Sequence, residues 1–366
     1  MKNNDKSKKK ILVLCPHPEN VAPGQRLKYE QYFEYLRDNG FDITVSPFQT
    51  KALWKVLYKQ GHVPEKVAWV LFGYARRAFD LARLPFYDGA FVFLLVTPLG
   101  PALFERACRK LARRVVYDID DLVILNRTSA ANRIVASLRG TSKYFYMMKA
   151  ADHVITCTPY LDEVVRKHNA KTTDISSTIN TDTYVPKASY ENDHRLVIGW
   201  SGSFSTSPYL KLLAEPLRRL RKKLDFKLLV IGDASFQMDG VDVEALPWVE
   251  STEVRDLSRI DIGLYPLPDE QWVYGKSGLK ALQYMALGIP TIATAIGANF
   301  RVIEDGVSGH LVKTEDEWVD RLERLASDAA LRKQIGQAAR KRVEDRFSIK
   351  ANRDTYLGIF REVYGT

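Results

Sequence analysis

Apolar residues in this chain fall into short runs separated by stretches of helical periodicity. "KILVLCP" (10–16) is too short for a globular helix. "LKYEQYFEYLRDNG" (27–40) spaces its apolar positions three and four apart and closes on glycine. The pattern predicts a strand, a helix, and then a second strand at "FDITVSPF" (41–48). Further strand-like runs follow at 87–96, 113–120 and 151–158, with helical stretches between them. Such βα alternation predicts an α/β fold with a parallel, doubly wound sheet.

The pattern then restarts. "RLVIGWSGS" (195–203) is a strand running into a glycine-serine loop, "PYLKLLAEPLRRLRKKL" (208–224) a helix, and "DFKLLVIGD" (225–233) a strand. The runs 260–267 and 289–294 continue the alternation, and a helix over 329–345 precedes a terminal amphipathic segment. The polar stretch 180–194 lacks periodicity and reads as a linker. The expected organisation is an N-terminal Rossmann-like domain, 1–186, a C-terminal one, 187–345, and a C-terminal helix, 346–366, packing back on the first. Two such domains facing a cleft would present ligands to the loops at the strands' carboxyl ends, 15–26, 97–100, 118–129, 201–207, 232–236 and 266–280.

Composition narrows the class. Of 366 residues, 46% are hydrophobic and 27% charged, the profile of a globular protein. No run reaches the roughly 18–20 apolar residues of a membrane span, and "ILVLC" after the basic N-terminus is too short for a signal-peptide core. Cys15, Cys108 and Cys157 are unpaired in spacing, which argues against a disulfide framework or zinc site and for a reducing, cytoplasmic compartment. The net charge of +10 suits anionic partners. Nucleic acid is not expected, because zinc-finger, RNP and helix-turn-helix signatures are all missing. The segment 51–86 instead mixes Trp, Tyr, Lys and Arg, which suits the inner face of a membrane as well as it suits two helices docked on a sheet.

Candidate chemistry centres on "GKSGLKALQYMALGIPTIAT" (275–294). Gly275 and Gly278 allow close backbone approach, the helix 279–287 presents free N–H groups at its start, and Lys276 and Lys280 add positive charge. Gln283, three residues after Lys280, projects near the same helical face. A phosphate beside Lys280 and a sugar hydroxyl beside Gln283 fit this spacing; glycines that merely cap and lysines that merely solvate fit it also. Asp118-Ile119-Asp120 has the Asp-x-Asp form of carboxylate pairs that bring Mg²⁺ or Mn²⁺ to a diphosphate. The alternatives are that Asp120 and Asp121 contact acceptor hydroxyls, or that they cap the following helix.

The stretch 277–312 resembles the nucleotide-sugar signature of glycosyltransferase family 4, retaining enzymes of GT-B fold. Met285, Ala286, Gly288, Pro290, Gly297, Glu304, Gly306, Gly309, Leu311 and Val312 fall in its register. The family's two glutamates, eight positions apart, correspond here to Gly275 and Gln283. The sequence is similar to a variant branch with GK-x-G-x-K-x-x-QYMA, in which Lys280 is the diphosphate partner. The resemblance implies donor contacts from Gly24, Ser201, Gly202, Ser203, Gly232, Asp233, Trp248, Lys276, Ser277, Gly278 and Gln283. It implies catalytic contributions from Lys280, Arg26, Asp120 and Asp121. It implies a UDP-, GDP- or ADP-sugar as co-substrate, a glycan or lipid-linked glycan acceptor, and no metal or other cofactor. A nucleotide-sugar epimerase and a non-catalytic nucleotide-sugar-binding protein of the same fold are the alternatives.

Overall fold

The computed structural model describes residues 8–57, 59, 61–122, 140–187, 189–191 and 195–365. The chain forms two compact units, 1–177 with 352–366, and 178–351.

The first unit is built on a six-stranded parallel sheet. Its strands are β1 (Lys9–Cys15), β2 (Phe41–Pro47), β3 (Gly89–Phe93), β4 (Val115–Asp118), β5 (His153–Thr156) and β6 (Thr172–Asp174), in the order β2-β1-β3-β4-β5-β6. The second unit repeats the design with β7 (Leu196–Ser201), β8 (Phe226–Ile231), β9 (Val243–Leu246), β10 (Ile262–Tyr265), β11 (Thr291–Thr294) and β12 (His310–Val312), ordered β12-β11-β10-β7-β8-β9. The chain direction of winding therefore reverses between β1 and β3 in one sheet and between β7 and β10 in the other. Loops leaving the strands at such a reversal diverge and leave a crevice.

The inner strands are buried along most of their length without alternation because both faces of each sheet are covered, whereas β2, β6 and β9 at the edges are only partly buried. In β8, Leu228 and Val230 enter one core with Ile198, Trp200, Leu217 and Leu322, while Leu229 and Ile231 enter the other with Leu282, Met285 and Val343. The last helix, Ile349–Tyr364, contributes Tyr356, Phe360 and Tyr364 to the first unit. Tyr356 stacks on Tyr32 with centroids 4.3 Å apart, and the Tyr364 hydroxyl donates to the Ala90 carbonyl at 2.7 Å.

Three expectations need correction. The predicted helix over 27–40 is replaced by a turn at 27–29, a 3₁₀ segment at Glu30–Tyr32 and a short helix at Phe33–Asp38, with a single helical turn, Pro23–Arg26, before it. Lys28 lies in the turn that precedes the 3₁₀ segment, buried with its ammonium paired to Asp118. The segment 208–224 starts as a 3₁₀ helix, Ser207–Leu213, and becomes α-helical only at Ala214–Arg221. The cations of 51–86 do not all lie on the surface. Helix Val63–Arg83 buries Gly73, Arg77, Asp80 and Leu81, and Arg77 is an internal strut. Its guanidinium donates to the carbonyls of Cys15 (2.7 Å), Ser46 (2.9 Å) and Val96 (2.8 Å) and pairs with Asp80 at 2.8 Å. It thereby ties together backbone acceptors at the ends of β1 and β2 and in the segment after β3.

Arg77→Met should lower the stability of the first unit by about 3–5 kcal/mol, as loss of one partner from a buried ion pair does. Arg77→Lys should recover little of it, since an ammonium cannot reach three diverging carbonyls. Equilibrium urea unfolding checks both; a wild-type midpoint for either variant would remove the strut.

Candidate functional site

In the second unit the crevice lies between the loops that leave β7 and β10. Gly202 follows β7, and its N–H donates to the Ile231 carbonyl at 2.9 Å. Gly232 follows β8 with φ +109°, and a Cβ there would lie 1.7 Å from the Gly202 carbonyl oxygen. Only glycine lets these two loops run in contact. Asp233 accepts from the Ser235 hydroxyl at 2.7 Å and from Ser207 at 2.5 Å, and these donors hold its carboxyl below the usual range. Asp233 therefore fixes the loop and is already occupied within it. Ser203 Oγ shares a hydrogen bond with Ser205 Oγ at 2.7 Å on the exposed rim. Ser201 is buried, and its N–H donates to the Tyr284 hydroxyl at 2.6 Å, which ties the β7 loop to helix Leu279–Ala286.

That helix begins at Gly278, whose φ of +81° turns the chain out of the 3₁₀ segment Gln271–Gly275. A Cβ at 278 would sit 2.9 Å from Val302, so glycine is required for space as well as for conformation. The helix is buried from Ala281 through Ala286, and Ser277 just before it is buried too. Lys276 reaches over the Trp272 ring, 5.5 Å from its centroid.

Lys280 holds the most unusual position. Its Nζ sits 4.4 Å from the Trp200 ring centroid and 6.0 Å from that of Tyr265, and donates to Thr206 Oγ1 at 3.2 Å. A side chain at 202 would collide with it, the would-be Cβ lying 2.5 Å from Nζ. Among the described residues it forms no ion pair. Burial first, and then the like charge of Lys276, bring its pKa down from 10.5 to about 7. Two lysines at the start of one buried helix, one of them forming no ion pair among the described residues, favour an anion there by charge and by dipole.

Gln283 is 5% exposed and lies on the same helix. Its Nε2 donates to the Tyr184 hydroxyl at 2.9 Å and to Glu253 Oε1 at 3.2 Å. Trp248, expected among the donor contacts, is half-buried and donates from Nε1 to Glu253 Oε1 at 2.9 Å. The structure thus gathers Ser201, Gly202, Gly232, Ser277, Gly278, Lys280 and Gln283 around one helix and its facing loops. Tyr184 and Glu253 were missed by sequence reasoning. Tyr184 falls in the stretch read as a linker, and Glu253 sits 30 residues before Gln283 with no motif to connect them.

The first unit carries the remaining expected residues. Gly24 and Arg26 lie in the turn Pro23–Arg26, and a Cβ on Gly24 would come 3.0 Å from Asp120 Oδ2. Asp121 takes a left-handed φ of +58°. Asp118, the first acid of the Asp-x-Asp pattern, is wholly buried and ion-paired with Lys28, which also donates to the Ile119 carbonyl at 3.2 Å. Burial pushes Asp118 up to about 6, with Lys28 opposing the shift. Its carboxylate is already engaged inside the first unit by Lys28 and by the Tyr356 hydroxyl at 3.4 Å. No group of three or more His, Cys, Asp or Glu among the described residues is arranged to hold a metal ion. Residues 123–129 of the expected loop 118–129 lie outside the described residues.

Comparisons with known proteins bear on the fold and on the second unit. Residues 195–328 match the family model of glycosyl transferases group 1. An α-D-kanosaminyltransferase from Streptomyces kanamyceticus is 31% identical over 194 residues, which cover 48% of this chain and 47% of that protein. A D-inositol 3-phosphate glycosyltransferase from Pseudarthrobacter chlorophenolicus is 32% identical over 145 residues, 35% of this chain and 33% of that protein. The chain spans less than half the length of either relative. Among solved structures, sucrose-phosphate synthase from Thermosynechococcus elongatus superposes with a TM-score of 0.72 at 16% identity, over 97% of this chain and 99% of that one. Anabaena HepE in complex with UDP-glucose gives 0.67 at 15% identity, over 97% and 100%. The fold is the α/β, two-domain GT-B architecture, and its second domain carries the match to group 1 glycosyl transferases.

Proposed function

We propose that this protein is a retaining glycosyltransferase, independent of metal. It would move a sugar from a nucleoside-diphosphate sugar to a hydroxyl of a glycan or lipid-linked glycan in the synthesis of cell-surface polysaccharide or glycoconjugate. The observation that carries the proposal is Lys280, an ammonium with no carboxylate partner among the described residues, at the start of a buried helix in the unit matched to glycosyl transferases. Support also comes from the relatives: one is a capsular polysaccharide biosynthesis glycosyltransferase of Staphylococcus aureus, and HepE was solved with UDP-glucose.

In this mechanism the bond from the sugar's anomeric carbon to the diphosphate oxygen breaks as the acceptor oxygen bonds to that carbon on the same face. The acceptor proton passes to the leaving diphosphate. The protein's part is electrostatic: Lys280 and the N–H groups at the start of its helix stabilise the developing phosphate charge. Gln283 meets a ribose hydroxyl.

A lipid-linked acceptor calls for a membrane-facing surface, and helix Val63–Arg83 supports one. Opposite its buried face it exposes Leu71 (64%), Phe72 (47%) and Phe79 (64%), with Val63 and Val67 beside them and Phe86 (80%) just beyond. Arg76 lies over Phe72 and Arg83 over Phe79. Apolar rings capped by guanidinium groups match an anionic lipid interface. No helix among the described residues is long and apolar enough to cross a membrane. The proposed location is the cytoplasm, peripheral to the inner membrane face.

Lys280→Met should cut turnover at least tenfold, since a phosphate charge loses its partner in a water-poor site. A bound diphosphate should raise the pKa of Lys280 above its free value of about 7. Above pH 7 binding then takes up a proton, and affinity falls with rising pH by up to tenfold per unit. Titration calorimetry of UDP-, GDP- and ADP-glucose in buffers of different ionisation enthalpy reads the proton. An absence of uptake at pH 8, or uptake undiminished in Lys280→Met, would refute the role of Lys280.

Activity should survive EDTA; its loss, restored by Mg²⁺ or Mn²⁺, would return the reaction to a metal. The protein should sediment with vesicles containing phosphatidylglycerol and not with pure phosphatidylcholine. The double substitution Leu71→Glu/Phe79→Glu should release it.

A further inference from the structure

Gln283 occupies the place of a carboxylate in the sequences this chain resembles, and an amide is ambiguous where a carboxylate is not. Rotated one way it offers two donors; rotated the other way it offers an acceptor. Its surroundings remove the ambiguity. Glu253 is 5% exposed and, when ionised, can only accept. It receives the Trp248 indole N–H at 2.9 Å and the Tyr184 hydroxyl at 3.0 Å. Tyr184, having given its proton to Glu253, faces Gln283 with a lone pair 2.9 Å from Nε2. The amide's NH₂ must therefore point at Tyr184 and Glu253, and both of its protons are engaged there. What remains is Oε1, which accepts no hydrogen bond among the described residues.

We propose that Glu253 is a positioning residue that locks the Gln283 amide with its carbonyl oxygen outward. The side chain thereby serves as a pure acceptor for a ribose hydroxyl and selects ribonucleotides over their deoxy forms. The inference rests on the nucleotide-sugar reading above and goes beyond it. Glu253 does not touch the nucleotide; it makes a neutral glutamine act in the way a carboxylate would, without placing a second negative charge near the diphosphate. Tyr184 and Trp248 hold Glu253 in register for this task. Restoring a glutamate at 283 alone should harm the site, because two carboxylates would then meet in a buried space. Exchanging the pair, Glu253→Gln with Gln283→Glu, should rebuild the same polarity with donor and acceptor reversed.

The test is binding of UDP, GDP and ADP to the full chain, each compared with its 2′-deoxy and 3′-deoxy forms by calorimetry. For the nucleotide that binds, wild type should lose about tenfold in affinity when the contacted hydroxyl is removed. Glu253→Gln and Tyr184→Phe should flatten that ratio toward one, whereas a merely structural role would weaken ribo and deoxy forms alike. Gln283→Glu should bind more weakly than the exchanged pair. Equal affinity of wild type for ribo and deoxy forms overturns the inference while leaving the nucleotide site standing. Binding of none of the three nucleotides overturns both. The wild-type comparison needs no variant, so the proposal stays exposed even if Glu253→Gln does not fold; an unchanged ratio in Tyr184→Phe also overturns it.

Discussion

An ammonium group held against an indole ring with no carboxylate beside it is an unfavourable thing to bury, and much of the second unit is organised around it. Trp200 offers Lys280 a π face, Thr206 a hydroxyl lone pair, and Gly202 the space that any side chain would fill. None of these supplies a full negative charge, so the lysine settles at a pKa near 7 and is only partly protonated in neutral solution. Between about 7 and 10.5 the unfolded chain holds this proton and the folded chain does not. Free protein therefore gains stability from Lys280 as pH rises through that window, and conversely is burdened by the charge below it. An anion in the crevice reverses the balance.

Much of the fold was legible in the sequence because parallel strands covered on both faces leave unbroken apolar runs, and nine of them were readable, those from β1 to β11 apart from β6 and β9. Those two and β12 are three or four residues long and polar or only partly buried, so they carry no periodicity to detect. The loop–helix unit at 275–286 was legible too, since Gly278 and Lys280 belong to one local motif. What escaped was every pairing across a long stretch of chain. Lys28 looked like one polar position in an amphipathic helix, and only the fold brings it 90 residues along to Asp118. Arg77 looked like surface charge. Glu253 had no signature, because its importance lies in what it faces.

The fate of the cations also tempers what net charge says about partners. Several arginines are internal hydrogen-bond donors. Arg77 serves the strand ends of the first sheet, and Arg332 donates to the carbonyls of Leu325, Ala326 and Tyr190 from a buried position. Arg340 donates to the carbonyls of Thr181 and Ala286. A guanidinium is suited to this work by its rigid fork of five donors and its weak hydration. Part of the positive excess is thus directed at the protein's own backbone, and the charge that faces outward is less than the composition implies.

One short helix then accounts for how the site can be both polar and rigid. Leu279–Ala286 is packed on most sides, so its side chains have little freedom. Tyr284 reaches from it to fix the backbone after β7, Lys280 projects beneath that same loop, and Gln283 is locked by Tyr184 and Glu253. Cation, loop and acceptor are therefore set by a single element whose position the core determines. A site assembled this way needs little reorganisation when charge develops on a ligand, and that is where preorganised dipoles have their largest effect. Loop residues such as Ser203 and Ser205, bonded to each other on the rim, can adapt to the ligand without disturbing that arrangement.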